Sequence, residues 1–222
     1  MEKFHRKLLV LAMPKSATRF LTMLLRNAQV KVGHEHIKRH GTVGCFFAVE
    51  DCWYPGKHWS DDHGHEDESR QRRSDYEFEH VWHMTRDPRK VIPSLAFRSF
   101  PGSMWCWQER HTGISSGLFP KSLRAMKFWL AWNSLIEQNE DVALRFRVED
   151  IDAQWPGMCD RLGIECKPIP DALPRDYGTS GETGPSAPVP LGFDEMEAID
   201  LETAKRVREM AERYGYNTKE TL

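Results

Sequence analysis

At 222 residues, with 31 basic and 33 acidic side chains and a formal net charge of −2, the chain has room for one domain with a sizeable core. That charge balance gives no general electrostatic reason to expect nucleic acid or an anionic membrane as partner. The five cysteines, Cys45, Cys52, Cys106, Cys159 and Cys166, are odd in number and widely spaced with no CxxC pair, and read as reduced thiols of a cytoplasmic protein.

No apolar run approaches the ~20 residues of a membrane-spanning helix. Residues 3–13 have a basic start followed by LLVLAM, but this segment is short and leads straight into a turn suited to anions, so it is not read as a signal peptide.

Residues 8–25, LLVLAMPKSATRFLTMLL, organise the rest. Leu8 to Leu11 form a short apolar run that suits a strand buried on both faces. Phe20, Leu21, Leu24, Leu25 and Ala28 then follow helical spacing. Between them lie Lys15, Ser16, Ala17, Thr18 and Arg19, with Ser16 and Thr18 as candidate helix caps. Amides at a helix start are unsatisfied and carry partial positive charge, so this turn is a natural anion site, with Lys15 adding a full charge. The Walker pattern is absent, since no glycine precedes Gly33.

Val30, Val32 and Ile37 mark a second strand around Gly33, His34 and Glu35. Ligands gather at the carboxyl ends of strands in a parallel sheet, which makes His34 and Glu35 candidate general bases. His34 has the side-chain type that titrates nearest neutrality, and Glu35 would do so if partly desolvated. Residues 44–54 are apolar and aromatic and fit a strand or a helix. Residues 56–77 are a polar surface loop; the spacing of His58, His63 and His65 fits no metal motif, and Arg70, Arg72 and Arg73 are expected to be solvated.

Residues 80–87 form the next strand, placing Arg86 at its carboxyl end, and Asp87 then Pro88 is a good helix entry. Ser94 follows two turns into that helix, after Pro93, which should bend it. Residues 101–119 are a Trp- and Gly-rich loop in which Trp105 and Trp107 suit a sugar or aromatic acceptor. A helix over 120–138 buries Trp129 and Trp132, a strand covers 142–148, and a helix covers 153–163. Residues 167–193 are an irregular Pro/Gly-rich loop, and one helix over 195–214 closes the chain.

Three segments together resemble one family. PKSATRF (14–20) is similar to the phosphosulfate loop of sulfotransferases that use 3′-phosphoadenosine 5′-phosphosulfate (PAPS), written PKSGTT or KGGTR. RDPRKVIPS (86–94) resembles that family's 3′-phosphate segment, an Arg and a Ser eight residues apart, and FRVEDI (146–151) resembles its YEDL-like segment. GHE (33–35), KFWLAWN (127–133) and YGY (214–216) look like the bacterial and phage branch.

The resemblance implies a single domain over 1–222 with a three-layer α/β/α architecture around a mostly parallel sheet, P-loop NTPase-like. It implies Lys15 at the bridging oxygen between phosphate and sulfuryl. The amides of Ser16 to Arg19, including Ala17, and the Ser16 and Thr18 hydroxyls would hold the 5′-phosphate, and Arg86 and Ser94 the 3′-phosphate. A catalytic base falls at His34 or Glu35. Ala17 departs from the family's glycine, where unusual dihedrals are favoured. Arg175 and residues 178–184 are only a loose match to the family's C-terminal Arg-Lys-Gly segment.

The expected reaction transfers a sulfuryl group from PAPS, as co-substrate, to a hydroxyl or amine of a small-molecule, glycan or other acceptor, without a metal. The alternatives are a non-catalytic nucleotide- or glycan-binding module with a degenerate site, and a small-molecule or nucleotide kinase, for which the sequence shows no convincing set of Mg²⁺ carboxylates.

Overall fold

The computed structural model describes residues 2–49, 72–97, 109–115, 117–173 and 188–219. Five strands form one parallel sheet in the order β2-β3-β1-β4-β5. They are β1 (Phe4–Ala12), β2 (Val32–His34), β3 (Gly41–Gly44), β4 (Tyr76–Thr85) and β5 (Val142–Arg147).

β1 lies at the centre because its second half is apolar on both faces, and side chains alternate along a strand. Leu8, Val10 and Ala12 face one core. They pack there with Phe20, Leu21, Leu24 and Leu25 of α1 (Thr18–Asn27) and with a helix after β5. Leu9, Leu11 and Met13 face the other core, with α2 (Pro88–Phe97) and α3 (Lys121–Glu137). Helices therefore cover both faces of the sheet. Trp129 and Trp132 are core residues of α3, as their spacing predicts.

The chain passes from β2 to the parallel neighbour β3 in the six residues 35–40, with no helix between. Parallel neighbours ordinarily need a dozen or more connecting residues. Here Glu35 adopts a left-handed backbone, φ 64°, and reverses the chain at the top of β2. The segment runs back down beside β2, and His40 N–H closes it on Lys31 O at 3.0 Å. Three glycines make the space. A Cβ on Gly33 would stand 1.9 Å from His36 O, one on Gly41 1.7 Å from Leu8 O, and one on Gly44 2.3 Å from Glu35 Oε2. Gly41 also has φ 132°, which side-chain-bearing residues rarely adopt.

Asp87 caps α2 as expected, its Oδ1 accepting from Arg89 N–H at 2.9 Å, with Pro88 in the first helical position. α4 (Ile151–Leu162) begins two residues earlier than its pattern suggests and ends at Gly163, which is left-handed.

Three expectations are corrected, and one strand carries no sequence signal. The third strand, GTVG, is too short and glycine-rich to register as a periodic segment. β4 starts four residues earlier than 80 and ends at Thr85. The closing helix is two helices, α5 (Phe193–Ile199) and α6 (Leu201–Arg213); they break at Asp200, which is extended and accepts from Thr203 N–H at 2.9 Å. Arg73 is buried rather than solvated. Its guanidinium pairs with both Asp141 oxygens at 3.0 and 2.9 Å, donates to Phe47 O at 3.2 Å and reaches Asn139 Oδ1. A polar neighbourhood in sequence conceals such a partner set, which comes from 26 to 68 residues away. Arg70, the histidines at 58, 63 and 65, and Trp105 and Trp107 lie outside the described residues, as do Arg175 and 178–184.

His83 fastens β4 to the second layer. Its Nε2–H donates to Asn133 Oδ1 at 3.1 Å and its Nδ1 accepts from Arg145 Nε–H at 3.2 Å. Burial, then the Arg145 charge, push its pKa down to about 3, so the ring is neutral in the folded protein.

Gly41→Ala is expected to cost more than ~4 kcal/mol, because the new Cβ meets the β1 backbone and the φ is unfavourable as well. Chemical denaturation of the variant, or loss of soluble protein, measures this.

Candidate functional site

All five strands run in one direction, so their carboxyl ends share one rim. The chain leaves β1 toward β2 and leaves β4 toward β5, in opposite directions across the sheet. The crevice between the ends of β1 and β4 is thus the point where ligands bind in such sheets.

The loop from Met13 to Thr18 occupies the β1 side. Lys15 and Ala17 have φ of 70° and 64°, with Ser16 between them outside that region. Backbone alternating in this way curls N–H groups around a concavity that suits an anion. Ala17 is the N-cap of α1, at φ 64° and ψ 31°, and no side chain caps the helix. Ser16 and Thr18 are therefore not caps, contrary to expectation. The Ser16 amide bonds Met13 O at 3.2 Å, which removes it from the set of amides available to a ligand. Its hydroxyl is different: Ser16 is 1% exposed and Oγ has no hydrogen-bond partner. A buried hydroxyl left unsatisfied costs free energy that an anion's oxygen would recover.

No acidic residue lies in the first turn of α1, while Arg19 does, half-buried, so the helix dipole and side chains share one sign. Across the crevice, Arg86 Nη1 donates to Lys15 O at 2.9 Å and ties the end of β4 to this loop. Ser94 lies in the second turn of α2, half-buried.

The other half of the site sits beyond β3. Thr18 Oγ1 shares a hydrogen bond with His34 Nε2 at 2.9 Å, so the first residue of α1 is joined to the last of β2. His34 Nε2 stands 3.9 Å from Glu35 Oε1. Glu35 is 9% exposed, and its Oε2 accepts from Cys45 N–H at 2.7 Å and more weakly from Phe46 N–H at 3.4 Å. Burial raises its pKa to about 7 against the lowering effect of those two amides. The sequence points to both residues but not to the Cys45 and Phe46 amides, since nothing in GCFF marks a carboxylate receptor. Gly44, too small to displace the carboxylate, is the nearest thing to a signal.

Glu149 also escapes the sequence reading as an organiser. Its Oε1 accepts from Asp87 N–H at 3.0 Å, and the Tyr216 hydroxyl lies 3.2 Å from both its Oε2 and Thr85 Oγ1. The VED segment after β5 and the terminal YGY thus meet at the rim and set the start of α2. Burial and the Glu149 charge keep the Tyr216 phenol protonated.

The structure therefore brings Lys15, Ser16, Ala17, Thr18 and Arg19 onto one loop and helix start, with Arg86 bonded to it and His34 and Glu35 linked through Thr18. Among the described residues no helix is long and apolar enough to cross a membrane, and no three His, Cys, Asp or Glu residues group as metal ligands. Searches of protein-family models, curated proteins and solved structures return no match for this chain.

Two measurements follow. Ala17→Gly relieves a left-handed alanine and is expected to stabilise the fold by up to about 1 kcal/mol in denaturant titrations, the gain from φ being partly offset by glycine entropy. Glu35 binds its proton more tightly when folded (about 7) than its ordinary 4.5, so folding stability falls as pH rises through that window. The fall is on the order of 3 kcal/mol and should be absent in Glu35→Gln.

Proposed function

We propose that the protein is a PAPS-dependent sulfotransferase that passes a sulfuryl group to a hydroxyl or amine acceptor. The observation that carries this reading is the pairing, on one sheet rim, of a cationic anion-binding loop and a buried carboxyl of near-neutral pKa, joined through the Thr18–His34 bond. The loop's donor set fits a phosphosulfate: an unpartnered buried Ser16 hydroxyl, left-handed turns at Lys15 and Ala17, and the start of α1.

Ala17 supports the reading. It takes the left-handed conformation for which the related motifs use glycine, so the substitution leaves the loop's shape in place. PAPS, when bound, supplies an activated sulfuryl group. In this reading Lys15 would stabilise charge on the bridging oxygen, and Ser16, Thr18 and the first-turn amides would hold the 5′ end. Arg86 and Ser94, across the crevice, are the residues proposed for the 3′-phosphate.

Glu35 is the proposed base. It is half ionised near neutrality, which suits proton acceptance from a hydroxyl or amine. His34, bonded to Thr18, couples the base to the loop. The P-loop NTPase-like sulfotransferase architecture belongs to the same proposal.

Transfer of radiolabel from PAPS to a panel of hydroxyl and amine acceptors tests it. Lys15→Ala is expected to lower turnover by roughly 10²-fold or more, and undiminished transfer would overturn its role. In the wild type, kcat/KM should rise with pH through about 7, and Glu35→Gln should abolish that limb.

A further inference from the structure

The bond between Thr18 and His34 has a direction, and a bound anion changes which direction is possible. Thr18 is 7% exposed, and among the described residues its hydroxyl has one side-chain partner, His34 Nε2 at 2.9 Å. A hydroxyl carries a single hydrogen. With little water to take it, that hydrogen goes to Nε2, because the reverse arrangement leaves a buried O–H unsatisfied. Nε2 of the ligand-free protein is therefore bare, and the ring's hydrogen sits on Nδ1. The same bare nitrogen stands 3.9 Å from Glu35 Oε1. Lone pairs facing each other at that distance favour a proton on the carboxyl, in line with the near-neutral titration of Glu35.

We infer that an anion in the Met13–Thr18 loop reverses the Thr18–His34 hydrogen bond and moves a proton from Glu35 to His34 Nε2, so that filling the donor site ionises the base. The inference rests on the proposed sulfuryl-transfer reading for the identity of that anion. Thr18 is the first residue of α1, beside the left-handed Lys15 and Ala17 and the buried, unpartnered Ser16 hydroxyl. An anion's oxygen is a stronger acceptor than a neutral ring nitrogen, so it takes the Thr18 hydrogen. Thr18 Oγ1 is then left facing a bare Nε2, two acceptors 2.9 Å apart.

A hydrogen on Nε2 removes that conflict, and Glu35 supplies it. The carboxyl O–H bond breaks, an N–H bond forms at Nε2, and the products are a carboxylate and an imidazolium, with no proton drawn from solvent. Nε2–H then donates to Thr18 Oγ1, and the new carboxylate keeps the Cys45 and Phe46 amides as donors. The bound anion's charge favours the imidazolium. The other charged or titratable groups on the elements that meet here are Lys15 and Arg19, Arg86 of β4, the Cys45 thiol after β3, and His36, whose Nδ1 shares a bond with His34 O at 2.8 Å. In consequence the acceptor is deprotonated only once the donor is in place.

The test labels histidine and glutamate isotopically in the full chain and reads ring-nitrogen and carboxyl-carbon signals by NMR near neutral pH. Spectra are taken without added anion, with saturating sodium sulfate, and with adenosine 3′,5′-bisphosphate; binding is followed separately by calorimetry. The His34 and Glu35 signals are assigned by their loss in His34→Gln and Glu35→Gln. Without anion, Nε2 is expected at the position of a bare nitrogen. With either anion it should move to the position of a protonated one, while the Glu35 carbon moves toward carboxylate. Thr18→Val, which keeps the side-chain shape, should show neither shift, and Thr18→Ser should show both. The inference is overturned by an Nε2 already protonated without anion, by bound sulfate that leaves Nε2 bare, or by a Thr18→Val protein that responds as the wild type does. Sulfate that produces both shifts while the bisphosphate fails to bind upholds the inference and removes the nucleotide reading. Bisphosphate that binds without either shift does the reverse, and failure of both anions to bind removes both.

Discussion

The tightest constraint in this protein is the six-residue passage from β2 to β3. Three glycines admit it: Gly33 beneath the returning chain, Gly41 against the β1 backbone, and Gly44 beneath the Glu35 carboxylate. The left-handed Glu35 is the price of that reversal. The passage contains no helix, and the Glu35 carboxylate lies directly over Gly44 at the end of β3. Burial of that carboxyl, and its elevated pKa, follow from the topology rather than from any local charge.

The same logic links the two halves of the site. α1 leaves β1 and delivers the chain to β2, so its first residue, Thr18, lies beside the end of β2, and the hydroxyl meets His34. On the other side, β4 ends where Arg86 can reach back to Lys15 O, and Glu149 fixes the start of α2 through the Asp87 amide. The crevice is thus framed by backbone-anchored groups from four of the five strand ends.

Charge in the fold is ordered by burial as much as by sequence. Arg73 and His83 show the general rule in opposite senses. Arg73 is buried against the Asp141 carboxylate, Asn139 Oδ1 and the Phe47 carbonyl, whereas His83, beside Arg145 and away from water, is held neutral. Neither outcome can be told from the neighbouring residues, since the groups responsible lie dozens of positions away.

Local physics was legible in the sequence. The apolar run Leu8–Leu11 had to be a doubly buried strand, and its alternation already divided the core into two faces. The 3.6-residue spacing gave α1 and the Trp-bearing α3, and Asp87–Pro88 gave the start of α2, because each is decided by contacts within a few residues. The strand-turn-helix of residues 8–25 and the placement of Lys15, His34, Glu35 and Arg86 near strand ends came from the same source. Tertiary packing decided what depends on distant partners: that GTVG pairs beside β1, that Asp200 splits the closing helix, that Arg73 is buried, and that the amides of Cys45 and Phe46 hold Glu35. It also decided that Ala17 takes a glycine's conformation. A residue type limits the backbone it prefers, but the packing of Phe20, Leu21 and Leu24 against the sheet fixes where α1 must begin.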